Sequence, residues 1–302
     1  MRGVVVALGN FDGVHLGHQA VLRRAVEVAK ERGSRVVAAT FDPHPQAVLR
    51  PGSEPPLLTT LGLRREALLR NGADEMRVIR FDKELSRKSP EEFIQDVLLK
   101  NLGAATVVVG ENFRFGYKAS GGFEDLRCHM REAGGEAYAV PLEVSGGDED
   151  INSTRIRGLL AAGEVTDAGR LLGRSYVLRG GVVSGERRGR QLGFPTANVL
   201  PEPGIVVPAR GVYAGYVDVR GERYIACTNV GLAPTFERSE SKVEAHLLDF
   251  EGDLYGLVVD VGFVEKVRDE KKFSGIEELR GQISRDVEVA REVMRELLYR
   301  SW

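Results

Sequence analysis

The run Gly9-Asn10-Phe11-Asp12-Gly13-Val14-His15-Leu16-Gly17-His18 sets glycines and two histidines between segments of opposite pattern. Ahead of it, Val4 to Leu8 is an unbroken apolar stretch that predicts a buried strand. Behind it, Ala20 to Arg32 has helical spacing. A strand that turns directly into a helix presents free backbone N–H groups and the positive end of the helix dipole, which suits an anion such as phosphate. Gly13 and Gly17 let a ligand approach the backbone closely. His15 and His18, at i and i+3, share one face of a first helical turn. Both can donate hydrogen bonds to charge developing on a phosphoryl group. Two surface histidines near a helix start are the bland alternative, and H-x-G-H alone does not exclude it.

The rest of the first half alternates. Val36 to Thr40, Thr106 to Val109 and Ala137 to Val140 read as strands, and Leu63 to Asn71, Pro90 to Leu99 and Gly122 to Ala133 as helices. Ser89 is the expected N-cap of the Pro90 helix, with proline at its first position. Such alternation predicts a parallel sheet with helices on both faces, with ligands at the carboxyl ends of its strands. Two short helices follow, Ser153 to Ala162 and Val165 to Leu172.

Beyond Gly173 the pattern changes to short strands: Val177 to Val183, Gly211 to Val219, Tyr224 to Val230, Val243 to Leu248 and Leu257 to Val264. Regular short strands with turns between them predict an antiparallel barrel or sandwich. Ile276 to Leu298 reads as a closing helix. Its apolar face would be Ile276, Leu279, Ile283, Val287, Ala290, Met294 and Leu297. The expected division is residues 1–173 and 174–302.

With 302 residues, 42% hydrophobic and 28% charged, the chain suits two ordinary globular domains. A formal net charge of −2 lacks the basic excess of a dedicated nucleic-acid binder. An oligonucleotide-binding barrel is also disfavoured by the lack of an aromatic stacking motif. Two distant cysteines, Cys128 and Cys227, imply neither a disulfide framework nor a metal site. They favour a reducing cytoplasm. No apolar run approaches a membrane span, and none reads as a signal peptide. Oligomeric state is not legible.

Four further segments carry chemistry. Thr40-Phe41-Asp42-Pro43-His44-Pro45 is either a rigid proline turn or the wall of a nucleotide pocket. Ile151-Asn152-Ser153-Thr154-Arg155-Ile156-Arg157 is either a capped helix start or a phosphate grip. Gly185 to Asn198 clusters glycines and arginines, suited to cradling phosphate. On an extended segment Thr196 and Asn198 share one face, so both can reach one cation. Val243 to Phe250 places Glu244 and His246 on one strand face, where a solvated carboxylate is the ordinary expectation.

Taken together, these motifs resemble the family of bifunctional riboflavin kinase/FAD synthetases, whose N-terminal half is similar to the nucleotidylyltransferases. The resemblance covers nearly the whole chain, in order. It implies a Rossmann-like N-terminal domain that adenylylates FMN to FAD with ATP. It also implies a C-terminal β-barrel that phosphorylates riboflavin to FMN with ATP and Mg²⁺. In the first, His15, His18 and Arg157 would act on the phosphates, with Gly9, Asn10, Phe11, Asp12, Gly17, Ser153 and Thr154 around ATP. Asn112 and Phe113 would meet the flavin. In the second, Glu244 would be the general base, Thr196 and Asn198 would hold Mg²⁺, and Gly189, Gly193 and Pro195 would line ATP. Arg268 and Phe273 would meet the flavin. The chain departs from the family pattern at Asn112, where aspartate is usual, at Asn152, where serine is common, and at Ala233, where arginine is frequent.

Overall fold

A computed structural model describes residues 3–141, 151–185, 189, 193–232 and 241–300. They form two compact units. One comprises Met1–Pro56 and Leu61–Ser153, the other Leu57–Thr60 and Thr154–Trp302.

The first unit is a five-stranded parallel sheet in the order β3-β2-β1-β4-β5. Its strands are β1 (Val4–Leu8), β2 (Val36–Asp42), β3 (Glu75–Arg80), β4 (Ala104–Gly110) and β5 (Glu136–Val140). The unbroken apolar character of β1 has a simple cause. Val6 and Leu8 enter the core on one face of the sheet, and Val5 and Ala7 enter the core on the other. A strand covered on both faces has no reason to alternate. β3 was not legible in the sequence. It is an edge strand whose Glu75, Arg77 and Arg80 leave only Ile79 buried.

Helix α1 (Leu16–Arg32) buries Val21, Leu22, Ala25, Val28 and Ala29 against the sheet, and Gly33 closes it in the left-handed region at φ 59°. It begins four residues before the expected Ala20, which brings His18 into its first turn. A short α2 (Pro45–Leu49) and α3 (Leu61–Arg70) follow. Ser89 and Glu92 form a reciprocal capping box at α4 (Pro90–Glu92), which runs on as a π-helix, Phe93–Asn101. α5 (Phe123–Glu132) precedes β5.

The second unit is a closed barrel in the order β10-β7-β6-β11-β8-β9. Its strands are β6 (Tyr176–Val183), β7 (Ala197–Pro201), β8 (Gly211–Val219), β9 (Glu222–Leu232), β10 (Ser241–Leu247) and β11 (Val258–Arg268), all paired antiparallel. Leu178, Val182, Val199, Tyr213, Val217, Val230, Val243, Val261 and Phe263 fill its interior.

Helices α6 (Ser153–Ala162) and α7 (Val165–Leu172) share that core through Ile156, Leu160, Val165, Ala168 and Leu172. The second compact unit therefore starts at Thr154. Gly173, where the sequence pattern changes, is the left-handed cap of α7 at φ 69°.

The closing helix α8 (Ile276–Arg300) lies on the outer face of β8 and β9, its Val287 and Ala290 packing with Val212, Ala214 and Cys227. Only the middle of its expected apolar stripe packs. Ile276 is 67% and Leu297 38% exposed.

Candidate active sites

The sheet order reverses between β1 and β4, and the crevice beyond their carboxyl ends is where such sheets bind ligands. Here it is a cleft of about 740 Å³. Gly9, Asn10, Phe11, His15, Gly17 and His18 line it from the turn after β1, and Asn112 and Phe113 from the loop after β4. Asn152 and Ser153 complete it, and Phe41 and Pro45 form part of its wall.

The turn after β1 is bent hard. Phe11 (φ 49°) and Val14 (φ 43°) lie in the left-handed region, as does Gly13 at φ 85°. A non-glycine residue stays there only when its surroundings over-determine it. Phe11 and Val14 are both buried in the core beneath the sheet. A Cβ on Gly17 would stand 3.3 Å from the His15 ring, a tight contact, and 3.6 Å from the Ile151 carbonyl, an ordinary one.

His15 is the N-cap of α1, and its Nδ1 accepts from the His18 backbone N–H at 3.4 Å. An accepting Nδ1 puts the proton of the neutral ring on Nε2. The two imidazoles stack with centroids 3.7 Å apart and planes 19° apart, and Phe11 meets His18 edge-on at 5.2 Å. Burial, then the neighbouring His15, then Arg64 hold the His18 pKa well below its ordinary 6.5. His18 is therefore a neutral hydrogen-bonding group at neutral pH. Its buried Nδ1 has no hydrogen-bond partner among the described residues.

Across 141 residues of chain, Ser153 Oγ donates to the Asp12 carbonyl at 2.9 Å, joining Ser153 to the turn after β1. Thr154 and Arg157 follow on α6, within the barrel unit. Phe113 does two things: it lines the cleft and stacks on Phe115 at 5.8 Å against the core. Asn112 is exposed at the mouth.

Arg64 has no counterpart in the sequence reading. An arginine early in a helix reads as solvated, and no local signal marks it otherwise. In the fold it is 3% exposed, with Nη1 donating to Thr40 Oγ1 at 3.2 Å and Nη2 standing 3.6 Å from Asp12 Oδ1.

The second site lies on the outside of the barrel. Register places Asn198 of β7, Glu244 of β10 and Asn229 of β9 side by side in one cross-strand row. Glu244 pairs with Lys242 at 2.9 Å. Asn198 is buried, and its Oδ1 has no hydrogen-bond partner among the described residues. Gly185 lies against it: a Cβ there would come 2.2 Å from Asn198 Nδ2. A Cβ on Gly189 would stand 3.3 Å from Thr196 Oγ1, and Gly193 turns the chain at φ 87°. His246 Nδ1 lies 2.7 Å from the Pro195 carbonyl and so carries the proton, while Phe194 packs edge-on to its ring at 5.5 Å. Pro195 and Thr196 border a cleft of about 520 Å³ that Leu247, Phe250 and Tyr255 also line.

Arg268 makes a two-toothed pair with buried Asp286 of α8, Nη2 at 2.7 Å and Nε at 3.0 Å, and its guanidinium lies 5.7 Å from the Phe273 ring. A Cβ on Gly231 would come 2.8 Å from Glu270 Oε1 and 3.4 Å from Asn229 Nδ2, which puts Glu270 beside the row. Glu186 to Arg188, Arg190 to Leu192, and Ala233 with Pro234 to Phe236 lie outside the described residues. Among the described residues no three His, Cys, Asp or Glu side chains gather as a metal site.

The chain thus joins a parallel-sheet unit with a cleft at its strand-order reversal to a closed barrel that carries a carboxylate–amide row. The FAD synthetase family model matches residues 1–155 and the riboflavin kinase family model residues 172–294. The bifunctional riboflavin kinase/FMN adenylyltransferase of Bacillus subtilis is 37% identical over 95% of this chain and 91% of its own length. That of Escherichia coli K12 is 37% identical over 96% and 93%. That of Listeria monocytogenes is 36% identical over 93% and 90%. A crystal structure described as a macrolide-efflux protein from Streptococcus pneumoniae superposes with TM-score 0.88, at 34% identity over 96% of this chain and 94% of that one. Among the described residues no helix is long and apolar enough to cross a membrane.

The chain belongs to the bifunctional riboflavin kinase/FMN adenylyltransferase family. Its C-terminal module is a riboflavin kinase and its N-terminal module an FMN adenylyltransferase, both using ATP.

Proposed function

We propose that the stacked pair His15 and His18 is the catalytic centre of adenylyl transfer. One observation carries this reading: two imidazoles, one with a buried nitrogen unpartnered among the described residues, stand at a helix N-terminus inside the cleft at the strand reversal. An FMN phosphate oxygen attacks the α-phosphorus of ATP in line, the bond to the β-phosphate oxygen breaks, and pyrophosphate leaves. His15 and His18 donate hydrogen bonds to the charge that accumulates, and no covalent intermediate is needed. Gly9, Asn10, Phe11, Asp12 and Gly17 shape the nucleotide seat, and Ser153, Thr154 and Arg157 hold the departing phosphates. Asn112 and Phe113 contact the flavin.

In the kinase module Glu244 takes the proton of the ribityl 5′-hydroxyl. That oxygen attacks the γ-phosphorus, and ADP leaves. Lys242 orients the carboxylate through their 2.9 Å pair. Gly189, Gly193 and Pro195 form the ATP loop, and Arg268 and Phe273 border the flavin. The donor set suits Mg²⁺: Thr196 offers a hydroxyl, and Asn198 offers a buried Oδ1 without a partner among the described residues, both hard oxygen ligands. Mg²⁺ bound there supplies charge neutralisation on the phosphates of ATP. The functional division falls near Gly173, at the start of the riboflavin kinase match over residues 172–294. Free Cys128 and Cys227 support a cytoplasmic setting, and the −2 net charge supports small-molecule substrates over nucleic acid.

Glu244→Gln in the full chain tests the kinase assignment. Riboflavin phosphorylation is abolished and FAD formation from supplied FMN persists; phosphorylation that survives refutes the base. His15→Ala and His18→Ala give the opposite pattern.

A further inference from the structure

Arg64 lies early in α3 and is 3% exposed, a costly place for a guanidinium unless its charge is met. Asp12 meets it at 3.6 Å, and Thr40 Oγ1 accepts from it at 3.2 Å. Thr40 in turn donates to the Asn10 carbonyl at 2.8 Å. Both arms of the guanidinium therefore end on Asn10–Asp12, at either side of Phe11 with its left-handed φ of 49°. Arg64 is not among the residues that line the cleft. It works from behind the turn.

We infer that Arg64 is a positioning residue for adenylyl transfer, clamping Asn10–Asp12 through Thr40 and Asp12 so that the turn delivers His15 and His18 to the nucleotide. The inference rests on the assignment of those histidines made above. Two features distinguish it from an ordinary structural ion pair. The clamped segment is the strained one that leads into the N-cap. The positive charge also reaches the site, since Arg64, with His15 and burial, helps to keep His18 neutral.

The test uses Arg64→Lys, Arg64→Met and Thr40→Val in the full chain, with riboflavin phosphorylation on the same sample as the folding control. Misplacing a reacting group by about 1 Å costs roughly 10²-fold, so Arg64→Met lowers kcat for FAD formation by about that factor, with a smaller change in KM for ATP. Arg64→Lys keeps the charge and falls between Arg64→Met and wild type. In Arg64→Met the His18 imidazole, followed by NMR, titrates at higher pH than in the wild type. Thr40→Val, which cuts the link to Asn10 without removing a charge, lowers kcat and leaves the His18 titration in place.

If Arg64→Met keeps kcat within about twofold while His15→Ala is inactive, the clamp is wrong and the histidine site stands. If His15→Ala keeps full FAD synthesis, the site assignment itself has failed. Should Arg64→Met not fold, an unchanged kcat in Thr40→Val overturns the inference.

Discussion

Ser153 Oγ and the Asp12 carbonyl are 2.9 Å apart, so the start of α6 is tied to the turn after β1. This bond seats Ser153 against the histidine turn. A neutral hydrogen bond of this kind contributes about 1 kcal/mol. Ser153→Ala is therefore expected to slow FAD formation from FMN by roughly fivefold. Riboflavin phosphorylation by the same sample stays at the wild-type rate. The two are separated by timed chromatography of the flavins.

The low pKa of His18 has a stability consequence. Its folded value lies well below the 6.5 of the unfolded chain, so the unfolded state takes up the proton first as pH falls. The contribution is complete above about pH 6.5 and is lost progressively as pH drops toward the folded value. Thermal unfolding between about pH 7 and about pH 5 shows a fall in Tm that is smaller in His18→Gln. Equal slopes for the two proteins would remove His18 from the acid sensitivity.

Arg268 and Asp286 fasten β11 to α8 through a two-toothed pair, with Asp286 buried. Removing one partner strands the other charge, at a cost of about 3 kcal/mol. Asp286→Ala is expected to lower the temperature at which riboflavin kinase activity is lost. An unchanged inactivation temperature would mean that Arg268 finds a new partner or reaches solvent.

Gly262 faces Tyr216 across the β11–β8 ladder, and a Cβ there would come 2.2 Å from the tyrosine ring. That ring cannot lift freely, because the Arg223 guanidinium covers it at 3.6 Å. Gly262→Ala is expected to cost about 1–3 kcal/mol by overpacking. Gly181→Ala, where nothing stands within 4 Å, is the matched control and stays within about 0.5 kcal/mol. Urea unfolding of the three proteins decides it.

Much of the fold was legible because its causes are local. The apolar runs of β1, β2 and β4 follow from burial on both sheet faces, the Ser89-Pro90 start from capping chemistry, and the short barrel strands from alternation. β3 escaped because an edge strand with Glu75, Arg77 and Arg80 carries little apolar pattern. The ends of the α8 stripe misled because periodicity reports a face and does not report which of its residues are covered.

The sequence by itself determined the family and the order of the candidate segments, since glycine turns, histidine spacing and the Thr196-x-Asn198 pattern are properties of neighbouring residues. Only the tertiary structure decided which segments meet. It brought Ser153 to Asp12, set Asn198 beside Glu244, joined α6 and α7 to the barrel core, and buried Arg64 behind the histidine turn. The physical reason is that burial and register are set by chain closure over long separations. A guanidinium that reads as solvated in its own helix becomes an internal clamp once Asp12 and Thr40 close over it.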